Sequence, residues 1–363
     1  MKTANISNFF HDKPLFGFDI GFGSLKVMQL AEPLVKAGPD QTHRLIGYGT
    51  AKFDIAALQD GVITQPEIIA KAAQDLFAHH LIGDITTRRA ALALPAYRTF
   101  TRTLQLPKLQ PKELKEAVEL EAEQYISMPL EDLYLDYEVI RQTEETTELF
   151  VVAVPQAIVN SYLDLSQLLG IEPVLIEPTI SSAGRVFSLD AQSDVPTFLI
   201  DFGSLSSNIS IFDKNILVTG TVQGGGANFT ELIGKALNVS PEEAGQIKTR
   251  YGLDASKKQT AIREALEPVL AQIIKEIRRM MRYYEERYGT DRPITQIVTL
   301  GGGANMPGLN EYLTATLRMA VRRSDPWQTF NFKGLQPPSS ADKPMYATAV
   351  GLSLASPNKV FTS

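Results

Sequence analysis

The chain contains no cysteine, which excludes disulfides, thiolate metal sites and a cysteine nucleophile, although that absence does not itself fix a compartment. Histidine is scarce too, with four in the whole sequence. His11 and His43 stand alone and His79 and His80 are adjacent rather than four apart, so surface imidazoles are a plainer reading than a histidine metal site. No apolar run reaches the roughly 18 residues that span a bilayer. The N-terminal stretch MKTANISNFFHDKP lacks the continuous apolar core, about 7 to 15 residues long, of a signal peptide. A cytoplasmic protein without a membrane span is the expectation. An excess of basic charge is also missing: the formal net charge is −6, which argues against an electrostatically driven nucleic-acid binder. One segment, IKEIRRMMRYYEERYG, gathers Arg278, Arg279, Arg282 and Arg287, but the interleaved Glu276, Glu285 and Glu286 predict a solvated, salt-bridged helix face with no ligand.

What is present is an ordinary globular composition, 44% hydrophobic and 21% charged, in 363 residues, a length at which one core gives way to two or more lobes. The stretch FGFDIGFGSLKVMQL reads as two strands around a tight turn, because Phe16, Phe18 and Ile20 alternate with small or polar residues and Leu25, Val27 and Leu30 resume the apolar pattern. Asp19 and Lys26 flank that glycine turn, as a phosphate and metal site would require. A strand (RLIGYGTAKF), a helix opened by Pro66 and a buried strand (RAALALP) follow. From Tyr97 the texture changes, and residues 97–155 read as a small α+β insert. PTFLIDFGSLSSNISIFDKNILVTGT then repeats the opening order of strand, acidic residue, glycine–serine turn and strand, so that Asp201, Gly203 and Ser204 answer Asp19 and Gly21. Later come a helix with Ser240 as N-cap and Pro241 in its first turn, and a long amphipathic helix ending at Gly289, with Pro268 expected near its start or at a kink. The strand of ITQIVTL leads through a glycine loop to a helix expected to begin near Pro307. The organisation expected is α/β: a first lobe from 14–96 and 156–190, the insert at 97–155, and a second lobe from 191–363, with a subsidiary part at about 228–290. Two lobes that each open with an aspartate-bearing hairpin imply a cleft between them.

Three glycine loops differ in content. The first offers Gly21, Gly23, Ser24 and Lys26, and the second Gly203, Ser204, Ser206 and Ser207; backbone N–H groups in such turns cradle phosphate oxygens. Asp19 and Asp201 then suit a hydrated Mg²⁺, which takes one or two carboxylates plus phosphates and retained waters. Taken singly, each aspartate is equally a local turn cap. The third loop, LGGGANMPG, has neither a Walker A lysine nor dinucleotide spacing, and its Gly301, Gly302, Gly303 and Asn305 suit a base or ribose pocket better than a phosphate cradle.

In this order DIGFGSLK, DFGSLSSN and LGGGANMPG resemble the phosphate-1, phosphate-2 and adenosine motifs of the actin, Hsp70 and sugar kinase superfamily, whose fold is a two-lobed, ribonuclease H-like ATPase. The insert replaces the usual actin subdomain, as in the FtsA and PilM families. KPLFGFDIGFGSLKVMQL, RTLQLPKLQPKELKEAVELEAEQYISMPLEDLYLDYEVI, GGGANMPGL and YATAVGLSL resemble the type IV pilus PilM family more closely. The resemblance implies ATP and Mg²⁺ as ligands, with the metal at Asp19 and Asp201. It assigns nucleotide contacts to Gly21, Gly23, Ser24, Leu25, Lys26, Gly203, Ser204, Ser207, Asn208 and Gly225, and adenosine contacts to Gly302, Gly303, Ala304 and Asn305. EEAGQIK nominates Lys248 for base and ribose, where Gly245 and Gln246 stand in place of the family's acidic residues; a surface lysine is the alternative. LIEPTISSAG resembles the E-P-T-A-A-A segment of Hsp70-like ATPases, which nominates Glu177 to orient a water for slow hydrolysis, against a simple helix cap. The implied partner is the short cytoplasmic N-terminal peptide of PilN, a single-span inner-membrane protein, bound in a groove between the first lobe and the insert. Membrane association would then be peripheral and indirect, with self-association an open possibility. Two other functions fit the same superfamily. An FtsA-like division adaptor would usually end in a basic amphipathic helix, which LSLASPNKVFTS lacks, and a small-molecule kinase would need a sugar-binding cluster beside its base, where only Glu177 is on offer.

Overall fold

Alternation along residues 16–30 is realised as a hairpin, Phe16–Ile20 antiparallel to Ser24–Leu30, with Asp19 directly opposite Lys26. A computed structural model describes residues 14–31 and 43–355. The N-terminal segment with His11 and the last residues of LSLASPNKVFTS lie outside the described residues.

The hairpin nucleates a seven-stranded sheet. His43–Lys52 pairs antiparallel with the second strand, while Arg89–Leu94 runs parallel to the first and Glu172–Pro178 parallel to that. The second sheet repeats this plan. Thr197–Phe202, Ser206–Asp213 and Asn215–Gln223 form an antiparallel meander, and Gln296–Leu300 and Ala320–Arg323 add in parallel beside its first strand. In both sheets the spatial order is third, second, first, fourth, fifth. The fold is thus a duplicated, two-lobed actin-like arrangement, and its parallel strands end at the glycine loops, where open α/β sheets bind ligands.

Because both faces of each sheet are covered, its central strands are buried along almost their whole length rather than on alternate residues, polar side chains such as Asp19, Lys26 and Asn208 included. One face of the first sheet packs Phe16, Phe18 and Val27 on Ile69 and Ala73 of helix Pro66–Asp75 and on Ile158 and Leu165 of helix Gln156–Leu169. The latter helix stops at Gly170, whose φ of 63° is the left-handed conformation of a C-terminal cap. Between the two sheets lie helices Thr179–Ser188 and Ala347–Ser353. Their Val186, Phe187, Ala349 and Val350 share one cluster with Met28 of the first sheet and Leu199 and Val298 of the second. Each buried side chain of this size contributes about 2 kcal/mol, so this central layer holds the lobes together.

The far face of the second sheet carries helices Gly226–Leu237, Pro241–Arg250, Gln259–Tyr288 and Leu309–Leu317. Ser240 caps the second of these by accepting from the N–H of Glu243 at 3.2 Å, as expected. Pro268 is not near the start of the long helix, which begins at Gln259, so the proline lies well inside it. A buried stripe of Ile262, Leu266, Leu270, Ile273, Ile277 and Met280 holds the helix through the lost hydrogen bond. The last of the four starts at Leu309 rather than Pro307 because Gly308, at φ 74°, turns the chain into it.

The insert is a three-stranded antiparallel sheet with Thr146–Pro155 at its centre between Phe100–Pro107 and Leu133–Gln142. Helix Pro111–Tyr125 lays Leu114 and Val118 on Leu104, Leu106, Leu149 and Val151. The expected salt-bridged face of the long helix holds for Arg279, which grips Glu276 through Nε at 2.8 Å and Nη2 at 2.5 Å. It does not hold for Arg287, whose Nη2 lies 3.6 Å from Glu148 of the insert. The solvated face therefore ends where the helix meets another part of the chain.

Candidate functional site

Asp19 is the fourth residue of a five-residue strand and would point into a sheet face if it were apolar. Its only buried cationic neighbour on the strand opposite is Lys26, whose Nζ lies 3.4 Å from Asp19 Oδ2 and donates to Ser24 Oγ at 3.2 Å. Both residues are 6% exposed. The turn between them is closed by the Gly21 N–H donating to Ser24 O at 2.9 Å, with Gly23 at φ 78°. The Leu25 side chain is wholly buried in the first-lobe core, which leaves only its backbone to face the turn.

In the second hairpin Asp201 stands opposite Asn208. The turn is bound to the next helix: Gly226 N–H donates to Gly203 O at 2.8 Å and Ala227 N–H to Ser204 O at 2.9 Å. A Cβ at Gly225 would sit 2.4 Å from Gly203 O, so only glycine lets the helix start this close. Ser207 donates to Gly224 O at 2.8 Å, and Asn208 Oδ1 accepts from Ser206 and Thr221. Serine and asparagine side chains here hold the loops in place, leaving the turn of Gly203 and Ser204 to face outward.

The third loop lies directly on this hairpin. Gly301 has φ 78°, and a Cβ there would fall 2.2 Å from Asp201 Oδ1; a Cβ at Gly303 would fall 2.8 Å from Phe202 Cβ. Gly302 is exposed and Ala304 buried. Both ends of the Asn305 amide are used, Nδ2 donating to Ala341 O at 2.7 Å and Oδ1 accepting from Arg323 at 2.8 Å. Lys248 is not a surface lysine: it is half-buried, with Nζ donating to Gly226 O at 2.6 Å and to Thr230 Oγ1 at 2.7 Å, and burial lowers its pKa. It ties its helix to the first turn of Gly226–Leu237 behind the second loop.

Burial, and then the negative charge of Asp19, push the Asp201 carboxyl up to about 6, while a hydrogen bond from Asn208 and the charge of Lys26 pull the other way. The two aspartates, remote in sequence, therefore sense each other. A buried carboxyl raised first by desolvation and then by a second carboxylate's charge, with one ammonium nearby, is a donor set that a hydrated dication relieves. No cluster of three or more metal-ligating side chains occurs among the described residues, so retained waters or a ligand's oxygens would complete any such shell.

Glu177 lies at the carboxyl end of its strand, 9% exposed. It makes no cap bond to the following helix. Its Oε1 instead accepts from Ser182 Oγ at 2.9 Å and from the Arg185 guanidinium, whose Nε donates to Gly351 O at 2.8 Å. Sequence reasoning missed Arg185 and Ser182, which lie on the helix that follows the strand of Glu177. It also missed Thr230, Arg323 and Met345. The Met345 side chain is 39% exposed, and its Cγ lies 3.3 Å from where a Gly302 Cβ would be. Nothing in local spacing links these residues to the loops they support.

Three comparisons bear on this geometry. A solved structure described as a PilM-PilN type IV pilus biogenesis complex superposes with a TM-score of 0.79 at 24% identity, over 94% of this chain and 98% of that one. The ethanolamine utilization protein EutJ of Carboxydothermus hydrogenoformans (TM-score 0.53, 14% identity, 95% of this chain and 91% of that) shares the fold, as does MreB5 of Spiroplasma citri bound to AMPPNP (0.51, 13%, 97% and 96%). The family model for type IV pilus assembly protein PilM matches residues 17–357. With that match running through both hairpins, the insert and all three glycine loops, the chain belongs to the type IV pilus assembly protein PilM family.

Proposed function

We propose that this protein is an ATP-binding scaffold of the type IV pilus machine, held at the cytoplasmic face of the inner membrane through a PilN-type partner. The observation that carries the nucleotide half is the convergence of two glycine turns with Asp19, Lys26 and Asp201 in one electrostatic neighbourhood. Asp19 and Asp201 would hold Mg²⁺, which when bound neutralises phosphate charge. Gly21, Gly23, Ser24, Gly203 and Ser204 offer backbone N–H groups to the phosphates, and Lys26 adds a charge-assisted bond. Gly302, Gly303 and Met345 offer a flat surface to the base. Ser207, Asn208, Gly225, Lys248 and Asn305 serve by fixing these loops. Glu177, with one oxygen engaged by Arg185 and Ser182, is restrained from orienting a water, which favours holding the nucleotide over turning it over.

The shift at Asp201 makes a pH prediction. With a folded pKa near 6, Asp201 is about one-tenth ionised at pH 5 and nine-tenths at pH 7, so Mg-ATP should bind about tenfold more weakly at pH 5 by titration calorimetry. Asp201→Asn should bind weakly at both pH values and lose that difference, apart from the nucleotide's own titration. Stability of the nucleotide-free protein moves the other way. The folded pKa lies above the ordinary aspartate value of 3.8, so the contribution of Asp201 is full below about pH 4 and is lost as pH rises through 6.

The partner half rests on the family, on the likeness to the PilM-PilN complex and on the insert's outer strand. Leu133–Gln142 has no strand on its outer side among the described residues; it exposes Tyr134 beside helix Gln156–Leu169, where Leu163 is also exposed, and Val139 on its opposite face. An extended peptide could add to such an edge with apolar anchors in the groove. Fluorescence anisotropy with a labelled peptide from the partner's cytoplasmic N-terminus should show saturable binding, weakened by Tyr134→Ala and Val139→Glu. Absence of binding both with and without Mg-ATP would refute the partner assignment.

A further inference from the structure

The insert leaves and rejoins the chain in the first lobe, yet its buried polar contacts are made with the second. Thr103 donates to Leu217 O at 2.5 Å, and the Thr101 and Thr219 hydroxyls lie 2.8 Å apart, along the edge strand Asn215–Gln223. Glu148, 4% exposed on the central strand of the insert, accepts a 2.6 Å hydrogen bond from Tyr288 Oη at the end of the long second-lobe helix. Arg141 Nη2 of the neighbouring insert strand lies 3.3 Å from its other oxygen, and Arg287 Nη2 lies 3.6 Å from the first. Phe150 of the insert packs on Ile180 of the central layer, with Ile216 of the second lobe against the same cluster. Polar contacts toward the first lobe are more exposed, namely Tyr134 Oη to Asn160 at 3.2 Å, Gln156 to the carbonyls of Glu131 and Leu133, and the Arg98–Asp60 pair at the root, while the apolar contact there is made by Val154 at the foot of the insert's central strand.

A buried carboxylate that loses its partners costs several kcal/mol, whereas exposed pairs contribute little. The firmer attachment is therefore to the second lobe. Arg141 and Arg287 hold the Glu148 carboxylate by charge rather than by hydrogen bonds, so Tyr288 supplies its one hydrogen bond across the joint.

We propose that the insert moves as part of the second lobe, with Glu148 as the positioning residue of that joint, so that closure of the lobes changes the width of the groove between the insert and the first lobe. This rests on the nucleotide-holding cleft proposed above and supplies its mechanical link to the partner site. The chain binds nucleotide between lobes and peptide between the first lobe and insert, and one rigid-body rotation then serves both.

The absence of cysteine allows clean labelling of the full chain. Spin labels at Lys115→Cys on the insert helix, Lys71→Cys on the first lobe and Asp291→Cys on the second would be measured pairwise by pulsed electron resonance. Mg-ATP, with binding verified by calorimetry, should shift the 115–71 and 71–291 distances and leave 115–291 unchanged. In Glu148→Gln/Tyr288→Phe, with the fold checked by circular dichroism, the 115–291 distribution should broaden even without nucleotide, and 115–71 should lose its response. A 115–291 distance that shifts in step with 71–291 in the wild type, or an unbroadened 115–291 distribution in the double variant, would overturn the proposal. If the wild type does not bind Mg-ATP, the cleft reading fails, and the nucleotide-free arm still decides which lobe carries the insert.

Discussion

Replacing Lys26 with methionine should weaken Mg-ATP binding by about 100-fold, the equivalent of one charge-assisted hydrogen bond of up to about 3 kcal/mol. The side chain is almost wholly enclosed, its Nζ lies between Asp19 and Ser24 at the lip of the first glycine turn, and among the described residues no other ammonium pairs with the Asp19 carboxylate. The same change strands Asp19, and breaking a buried pair by removing one partner is destabilising by roughly 3 to 5 kcal/mol. Binding loss and unfolding must therefore be separated. Asp19→Asn/Lys26→Met replaces both charges by neutral groups of similar shape, and it should recover most of the melting temperature without recovering affinity. Calorimetric titration of the two variants at a temperature well below melting makes the comparison. Affinity of Lys26→Met within threefold of wild type would remove Lys26 from the nucleotide site.

A large stability effect is also expected at Gly351, away from the three glycine loops. An added Cβ would lie 2.2 Å from Ser182 O and 2.7 Å from the Ser182 Cα, so the helices Thr179–Ser188 and Ala347–Ser353 touch backbone to backbone there. Gly351→Ala must push apart the two helices that separate the sheets, where neither neighbour is a flexible side chain end. Overpacking of this kind costs about 3 kcal/mol, and in a chain of this size the melting temperature should fall by roughly 4 °C. The displacement also moves the carbonyl that receives Arg185 Nε, loosening the grip on Glu177. Calorimetric melting of Gly351→Ala within a degree of wild type would show that the central layer parts without cost.

These two positions divide along the line between what was legible in the sequence and what was not. The Asp19–Lys26 hairpin could be read directly, because alternation, a glycine turn and a charged residue on each arm are all local, and antiparallel register places them opposite one another. The repeat of that pattern at Asp201, the helix stopped at Gly170 and the cap at Ser240 were legible for the same reason, as was the resemblance to the family whose model matches the chain. What escaped depends on residues far apart along the chain. Pro268 sits inside a helix because a buried stripe outweighs one lost hydrogen bond, and Arg287 leaves its solvated face because Glu148 waits on the insert.

By itself, then, the sequence determined the two hairpins, their carboxylates and glycine turns, since periodicity and backbone freedom act within a few residues. Only the tertiary structure decided that Asp201 is raised by Asp19, that Lys248 braces a helix rather than lying on the surface, that Glu177 is held by Arg185, and that the insert leans on the second lobe. Each of these is a charge or hydrogen bond whose strength comes from burial, and burial is a property of the packed lobes that no short stretch of chain possesses.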